Sequence, residues 1–512
     1  MNGRKYLIYE INTRVWLNTL SRRFGKPITL ANVPEVVVED LTKLRISAIW
    51  LMGVWTRSKA GREGALKYKH EYKAALPDLT DADVIGSAYA IGKYEVAAEA
   101  GGRDGMAAFR AQLIKRGLRL IVDFVPNHVA LDHPWVGGDA ELCVRGTPEL
   151  LESRPGDFFQ SVRPDGTTTI TAHGRDPNFP AWNDTAQLNA FSPSLRQAAI
   201  ATLRDIAVQT DGVRCDMAML MMNPVFQRTW GWLLGNETPS QEFWPEVIAA
   251  VKQVNPTFIF IAEAYWGLEW ALQAEGFDFT YDKYLYDLLR DEKVLDLQNY
   301  LGTDVGFQRR TLRFIENHDE PRAVVEFKSD QAAKAKAAAA VTLTLPGAVL
   351  LHDGQLTGRR IKLPVQITRE MDEPADASIK AYYDKLLAEV RQPEYSLGMW
   401  RQLPTTGSII AYTWTLQDQV RLVIANITSE TQGGQVTLTD CGRHPLVNVM
   451  TNQIIAPHGE SLEVYMPAYS VNTYQIDMSG PAQTSFSEKV ANKITGVYQQ
   501  VRNWIKGDGA SG

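Results

Sequence analysis

The sequence predicts an α/β protein: a (β/α)8 barrel of the TIM type, with a subdomain inserted after strand three and a C-terminal antiparallel β-sandwich. Three observations predict it. Short apolar segments alternate with amphipathic, helix-patterned stretches from residue 6 to about residue 392. Residues 129–191 interrupt that rhythm with Pro, Gly, Asp and Asn clusters and little periodicity. Past residue 395 the pattern becomes short strands joined by polar turns.

The predicted barrel strands are YLIYEI (6–11), ISAIWLMGV (46–54), LRLIVDFV (118–125), DGVRCDM (211–217), FIFIAEAY (258–265), FDFTYD (277–282), LRFIEN (312–317) and GAVLLHDG (347–354). Near-continuous apolar runs suit a parallel sheet buried on both faces. Helix-patterned stretches fall at 104–117, 192–210, 245–256, 282–301 and 376–392. The C-terminal strands are expected at 407–416, 419–428, 434–440, 444–450 and 462–477. The domains are then residues 1–128 with 192–395 (barrel), 129–191 (insertion), 396–478 (sandwich) and 479–512. That last part is a linker followed by an amphipathic helix, with Phe486, Val490, Ile494, Val497, Val501 and Trp504 at helical spacing.

Net charge is −6, with basic residues spread along the chain, so nucleic acid is not an expected partner. Three widely separated cysteines make no metal-ligand spacing and suit a reduced compartment. The N-terminus has no apolar signal core. The longest apolar run, 337–351, is broken by Pro346-Gly347 and reads as helix, turn and strand, so no integral membrane segment is expected. A cytoplasmic location follows as the expectation; oligomeric state stays open.

The polar anomalies sit at the C-terminal ends of predicted strands: Asp123, Asn127 and His128 after strand three, Arg214 and Asp216 on strand four, Glu263 on strand five, and Asn317, His318 and Asp319 after strand seven. These ends converge on the face that carries the active site of barrel enzymes. Arg214 and Asp216 are two residues apart on a strand, so they share a face. Three carboxylates on one rim are costly unless chemistry uses them. The chain has no Walker loop, zinc-type cluster or dinucleotide fingerprint, and Cys215 alternates with Asp216 to the opposite side. Paired carboxylates without a cofactor point to glycoside hydrolysis, with a nucleophile and a proton donor about 5–5.5 Å apart in a retaining enzyme. Arg214 would keep Asp216 ionised.

The motifs then resemble those of glycoside hydrolase family 13, the α-amylase family: DFVPNH (123–128), DGVRCDMAML (211–220), FIAEAYW (260–266), FIENHD (314–319) and TAQLN (185–189), in family order. The resemblance implies that Asp216 is the nucleophile, Glu263 the general acid and base, and Asp319 the transition-state stabiliser. It implies that Arg214 orients Asp216, His128 and His318 bind the sugar, Asp123 orients its neighbours, and Tyr89 stacks on the sugar. Trp266 and Arg322 are further substrate-binding candidates. One departure is plain: where the family has Lys-His after the nucleophile, this chain has Met219 and Leu220. The family's common calcium site is therefore incomplete, Asn127 being its lone match, and no cofactor or metal is expected. Met219, Leu220, Met221 and Met222 either make the leaving-group side less polar or belong to the core. The substrate expected is an α-glucan or malto-oligosaccharide, hydrolysed at α-glucosidic bonds. The alternatives are a transglycosylase resembling a 4-α-glucanotransferase, and a catalytically inactive glycan-binding protein.

Overall fold

The computed structural model describes residues 5–480, apart from 164, 236, 456 and 458 and the side chain of 140. Eight parallel strands close into a barrel: β1 (Leu7–Asn12), β2 (Ala48–Met52), β3 (Arg119–Phe124), β4 (Gly212–Cys215), β5 (Ile259–Ala262), β6 (Phe279–Tyr281), β7 (Thr311–Arg313) and β8 (Ala348–His352). Each pairs with its sequence neighbours, and β1 closes on β8 with Leu7 opposite Val349. The strands are buried on both faces, inward by barrel side chains and outward by helices, which explains their unbroken apolar runs. The helix after the insertion, Pro193–Gln209, starts where Ser192 accepts the Leu195 N–H and Pro193 presets the first turn. The predicted stretch 282–301 is two helices, Lys283–Arg290 and Val294–Leu301. Glu292 takes a left-handed backbone (φ 58°) between them, which no continuous helix tolerates.

The insertion is more ordered than its composition implies. It carries an antiparallel pair, Phe158–Val162 with Thr168–Ala172, and it is tied to the barrel by His128–Ala130 paired with Thr185–Gln187. A second excursion, after β2, was not visible as structure in the sequence. Trp55–Arg57 pairs with Ile91–Val96 around two short helices. This excursion docks on the loop after β8: Val84 bridges Ile367, and Tyr72, Leu76, Leu79, Val84 and Ile367 share a small core. Arg57 Nη1 donates to Gly86 O and, at 2.6 Å, to Val365 O, clamping the two loops together.

The C-terminal domain is a six-stranded antiparallel sheet and a two-stranded ribbon sharing one core. Its first strand, Met399–Gln402, lies outside the predicted set, and 462–477 divides into Ser461–Met466 and Ser470–Asp477, turning at Tyr469 (φ 49°). Trp414 Nε1 donates to Thr344 O at 2.7 Å, and Tyr412 bonds the Thr344 hydroxyl, so the sheet sits on the helix before β8. The expected amphipathic helix lies outside the described residues. Among the described residues no helix is long and apolar enough to cross a membrane.

Candidate active site

The barrel brings β4, β5 and the segment after β7 to one rim, and one buried guanidinium meets all three carboxylates. Arg214 Nη1 lies 2.6 Å from Asp216 Oδ1, and Nη2 lies 2.8 Å from Glu263 Oε2 and 3.9 Å from Asp319 Oδ2. Arg214 is itself walled by aromatic rings: Trp50, Tyr89 and Tyr281 have centroids 5.3–5.5 Å from its central carbon. A delocalised cation among ring faces is attracted by their quadrupoles and loses little hydration.

Burial and partners set the charge of each carboxylate. Glu263 is pushed up to about 7, first by burial and then by Asp216 and Asp319, against the pull of Arg214. Burial also raises Asp216, while Arg214 pulls it down. Arg214 pulls in the direction expected from the sequence, and removing water from the carboxylate pulls the other way. Asp319 is different. Enclosure by the cleft raises it, but His318 and then Arg214 hold it below its ordinary value. Glu263, raised to about 7, is thus suited to hold a proton, while Asp319 is held ionised beside it.

The Glu263 carboxyl is held at both oxygens. Oε2 accepts the Met217 N–H at 2.6 Å, and Oε1 accepts the Tyr265 hydroxyl at 2.8 Å. Met217 takes a left-handed backbone (φ 42°), a strained conformation that aims its N–H at Glu263. Trp266, two residues beyond Ala264, is also left-handed (φ 65°) and 44% exposed at the rim. Asn317 fixes the start of the Asp319 segment: its side-chain oxygen accepts the N–H groups of Asp319 (2.9 Å) and Glu320 (2.8 Å).

His318 joins this group. Its ring stacks on Tyr89 at 5.2 Å between centroids, and Nε2 lies 2.6 Å from the Tyr89 hydroxyl and 3.0 Å from Asp319 Oδ2. His128 is buried at the edge, its ring 5.0 Å from Trp182, and burial lowers it to about 4, so it is neutral at pH 7. Asp123 lies under the site, 1% exposed. Oδ2 accepts the Gly53 N–H at 2.8 Å, and its carbonyl accepts the Trp55 indole. It orients the loop after β2.

Arg322 is a correction. Its Nη1 is spent on Glu316 (2.8 Å), His352 (3.0 Å) and Asp353 O (2.7 Å), and Nε on Ile361 O. It is a buried anchor for the loop after β8, not a substrate contact, because a buried cation is held by whatever carboxylate pairs it. Met219, Leu220, Met221 and Met222 are likewise core, between 0 and 6% exposed. The Asn127 side-chain oxygen, the lone match to the family's calcium site, accepts Gln187 Nε2 at 2.9 Å. Among the described residues no three His, Cys, Asp or Glu side chains cluster as a metal site.

The sequence reading missed Glu10, Trp50, Tyr265 and Tyr281. Glu10 carried the signal used elsewhere, a charge in an apolar strand near its C-terminal end. The aromatic residues carried none, because core and site tyrosines look alike until their neighbours are known.

A closed parallel barrel whose C-terminal rim gathers carboxylates around one arginine defines a class of sugar-processing enzyme scaffolds. The model of the alpha-amylase catalytic domain matches residues 38–394, and the chain belongs to that family, glycoside hydrolase family 13. The chain is 25% identical over 361 residues to alpha-amylase MalA of Haloarcula japonica, a match covering 66% of this chain and 47% of that protein. It therefore spans about half the length of that relative. Alpha-amylase 3 of Dictyoglomus thermophilum is 20% identical over 475 residues, covering 82% of this chain and 84% of the relative. The structure of the noncanonic maltogenic alpha-amylase AmyB from Thermotoga neapolitana has the same fold, with a TM-score of 0.64 at 20% identity, covering 93% of this chain and 100% of that one.

Proposed function

We propose that the protein is a retaining glycosidase that hydrolyses α-glucosidic bonds of α-glucans or malto-oligosaccharides. The observation that carries this reading is the single guanidinium bridging Asp216 and Glu263. Two carboxyls held by the two terminal nitrogens of one arginine supply the acid and the nucleophile that a retaining mechanism needs at one buried point.

In this reading, protonated Glu263 gives its proton to the glycosidic oxygen as Asp216 attacks the anomeric carbon. The leaving chain departs with the proton, and a glucosyl ester forms on Asp216. Glu263, now ionised, takes a proton from water, whose oxygen attacks the same carbon and frees Asp216. Asp319, kept ionised by His318 and Arg214, steadies the positive charge of the sugar in the transition state. The relatives named above, alpha-amylases by description, support the α-glucan as substrate class. Calcium has no part in this reading, since Met219 and Leu220 stand where the family has Lys-His.

Product analysis with maltoheptaose tests it. Shorter products with new reducing ends, abolished in Glu263→Gln, would support hydrolysis. Longer and shorter products with a constant number of reducing ends would replace it with transfer to a sugar acceptor. Turnover undiminished in both Glu263→Gln and Asp216→Asn would overturn the carboxylate roles altogether.

A further inference from the structure

The floor of the barrel holds a carboxylate that the mechanism above does not use. Glu10 sits on β1 between Tyr9 and Ile11 and is wholly buried. An apolar strand carries an ionised side chain only where a partner compensates for lost water. The partner is His318: Nδ1 lies 2.5 Å from Glu10 Oε1. Glu10 Oε2 has no hydrogen-bond partner, so the ion pair is the main compensation the carboxylate has.

The geometry bears on the protons. Nδ1 of His318 faces one carboxylate, Glu10, and Nε2 faces another, Asp319 Oδ2 at 3.0 Å. With both carboxyls ionised, each can only accept, and both ring nitrogens then carry hydrogen. Nε2 is also 2.6 Å from the Tyr89 oxygen. With Nε2–H as donor, that oxygen accepts and the phenolic hydrogen is free. With a neutral ring protonated at Nδ1, the phenol would donate to Nε2, and a bare nitrogen would face Asp319.

We infer that Glu10 is a positioning residue for the reaction: from the floor of the barrel it holds His318 as an imidazolium, which aims Nε2–H at Asp319 and releases the Tyr89 hydroxyl to face the sugar. The inference rests on the glycosidase reading for its effect on rate, but not for the protonation state. The other groups around the ring agree with it. Asp123 adds negative charge from β3. Arg214 opposes from β4, spread over Trp50 and Tyr89, and Trp50 meets the ring by its edge at 5.5 Å. Lys362, from the loop after β8, holds the Asp319 carbonyl. Burial disfavours the imidazolium, yet Asp319 and Glu10 together raise His318 well above its ordinary value.

Glu10→Gln tests it, since the amide keeps the shape and an acceptor oxygen but not the charge. With maltoheptaose as substrate, kcat/KM should fall at least tenfold at pH 7, and the deficit should shrink below threefold at pH 5, where solvent protons restore the imidazolium. A deficit that is the same at both pH values, or none, overturns the role. The nitrogen NMR spectrum of the wild-type ring, assigned by its loss in His318→Gln, is the second readout. Two protonated nitrogens at pH 8 support the inference, and one bare nitrogen overturns it. That spectrum decides the protonation state even if maltoheptaose proves not to be a substrate, and it needs no folded Glu10 variant.

Discussion

Arg214 Nη1 lies 2.6 Å from Asp216 Oδ1, two residues on and just past the end of β4, with both side chains buried. The same guanidinium reaches Glu263 and approaches Asp319. Removing the cation leaves carboxylates facing one another without compensation. Arg214→Leu should therefore cost about 3–5 kcal/mol of stability, the scale for breaking a buried ion pair. Denaturant unfolding measures this. Arg214→Lys should recover part of the stability and little of kcat/KM, because an ammonium cannot span two carboxyls in the guanidinium geometry.

The rate should follow a bell-shaped pH profile. Glu263 acts as an acid only while protonated, so kcat/KM for maltoheptaose should fall as pH rises through about 7. Asp216 must be ionised to attack. Its carboxyl is raised above the ordinary aspartate range, so the acidic limb should lie above that range too. The Tyr265 hydroxyl donates to Glu263 Oε1 and favours its ionised form. Tyr265→Phe should move the alkaline limb to higher pH, and an unmoved limb would remove Tyr265 from this account.

Asp123 offers a stability test away from the chemistry. Burial raises its carboxyl from 3.8 to about 6 in the folded chain. A raised folded value means that the folded state holds the proton more tightly. The associated stability is full below the unfolded value and is lost as pH rises toward 6. Asp123→Asn removes that dependence and keeps an acceptor for the Gly53 N–H. Relative to this variant, the wild type should lose about 2 kcal/mol between pH 4 and pH 6, with a slope approaching about 1.4 kcal/mol per unit midway. Urea midpoints across that range check it.

Chelation should be silent. With Asn127 bonded to Gln187 and Leu220 in the place of the family histidine, an excess of EDTA should leave both melting temperature and turnover of maltoheptaose unchanged. A drop in either would show that calcium binds, and the site would then have to be sought among other donors.

Replacing the nucleophile and the acid should separate their roles. Asp216→Asn should cost about 10⁴-fold or more in kcat, whatever the leaving group. Glu263→Gln should cost about 10²–10⁴-fold on maltoheptaose, but far less on an aryl α-glucoside whose phenolate leaves without a proton. Equal losses on both substrates would argue against Glu263 as the acid.

By itself the sequence determined the barrel and the rim. Eight apolar runs have no stable home but a sheet buried on both faces, and Asp216, Glu263 and Asp319 at their ends must then converge. What it could not decide was which side chain takes which partner. Arg322 follows the Asp319 motif by three residues, yet it turns to Glu316, because a buried carboxylate recruits the cation within reach. Met219 and Leu220 follow Asp216 closely, yet both are buried. Glu10 is 308 residues from His318 and makes a contact on which the proposed charge state of the site depends. Periodicity reports which face a residue is on. Pairing across the barrel depends on closure, and only the folded chain supplies that.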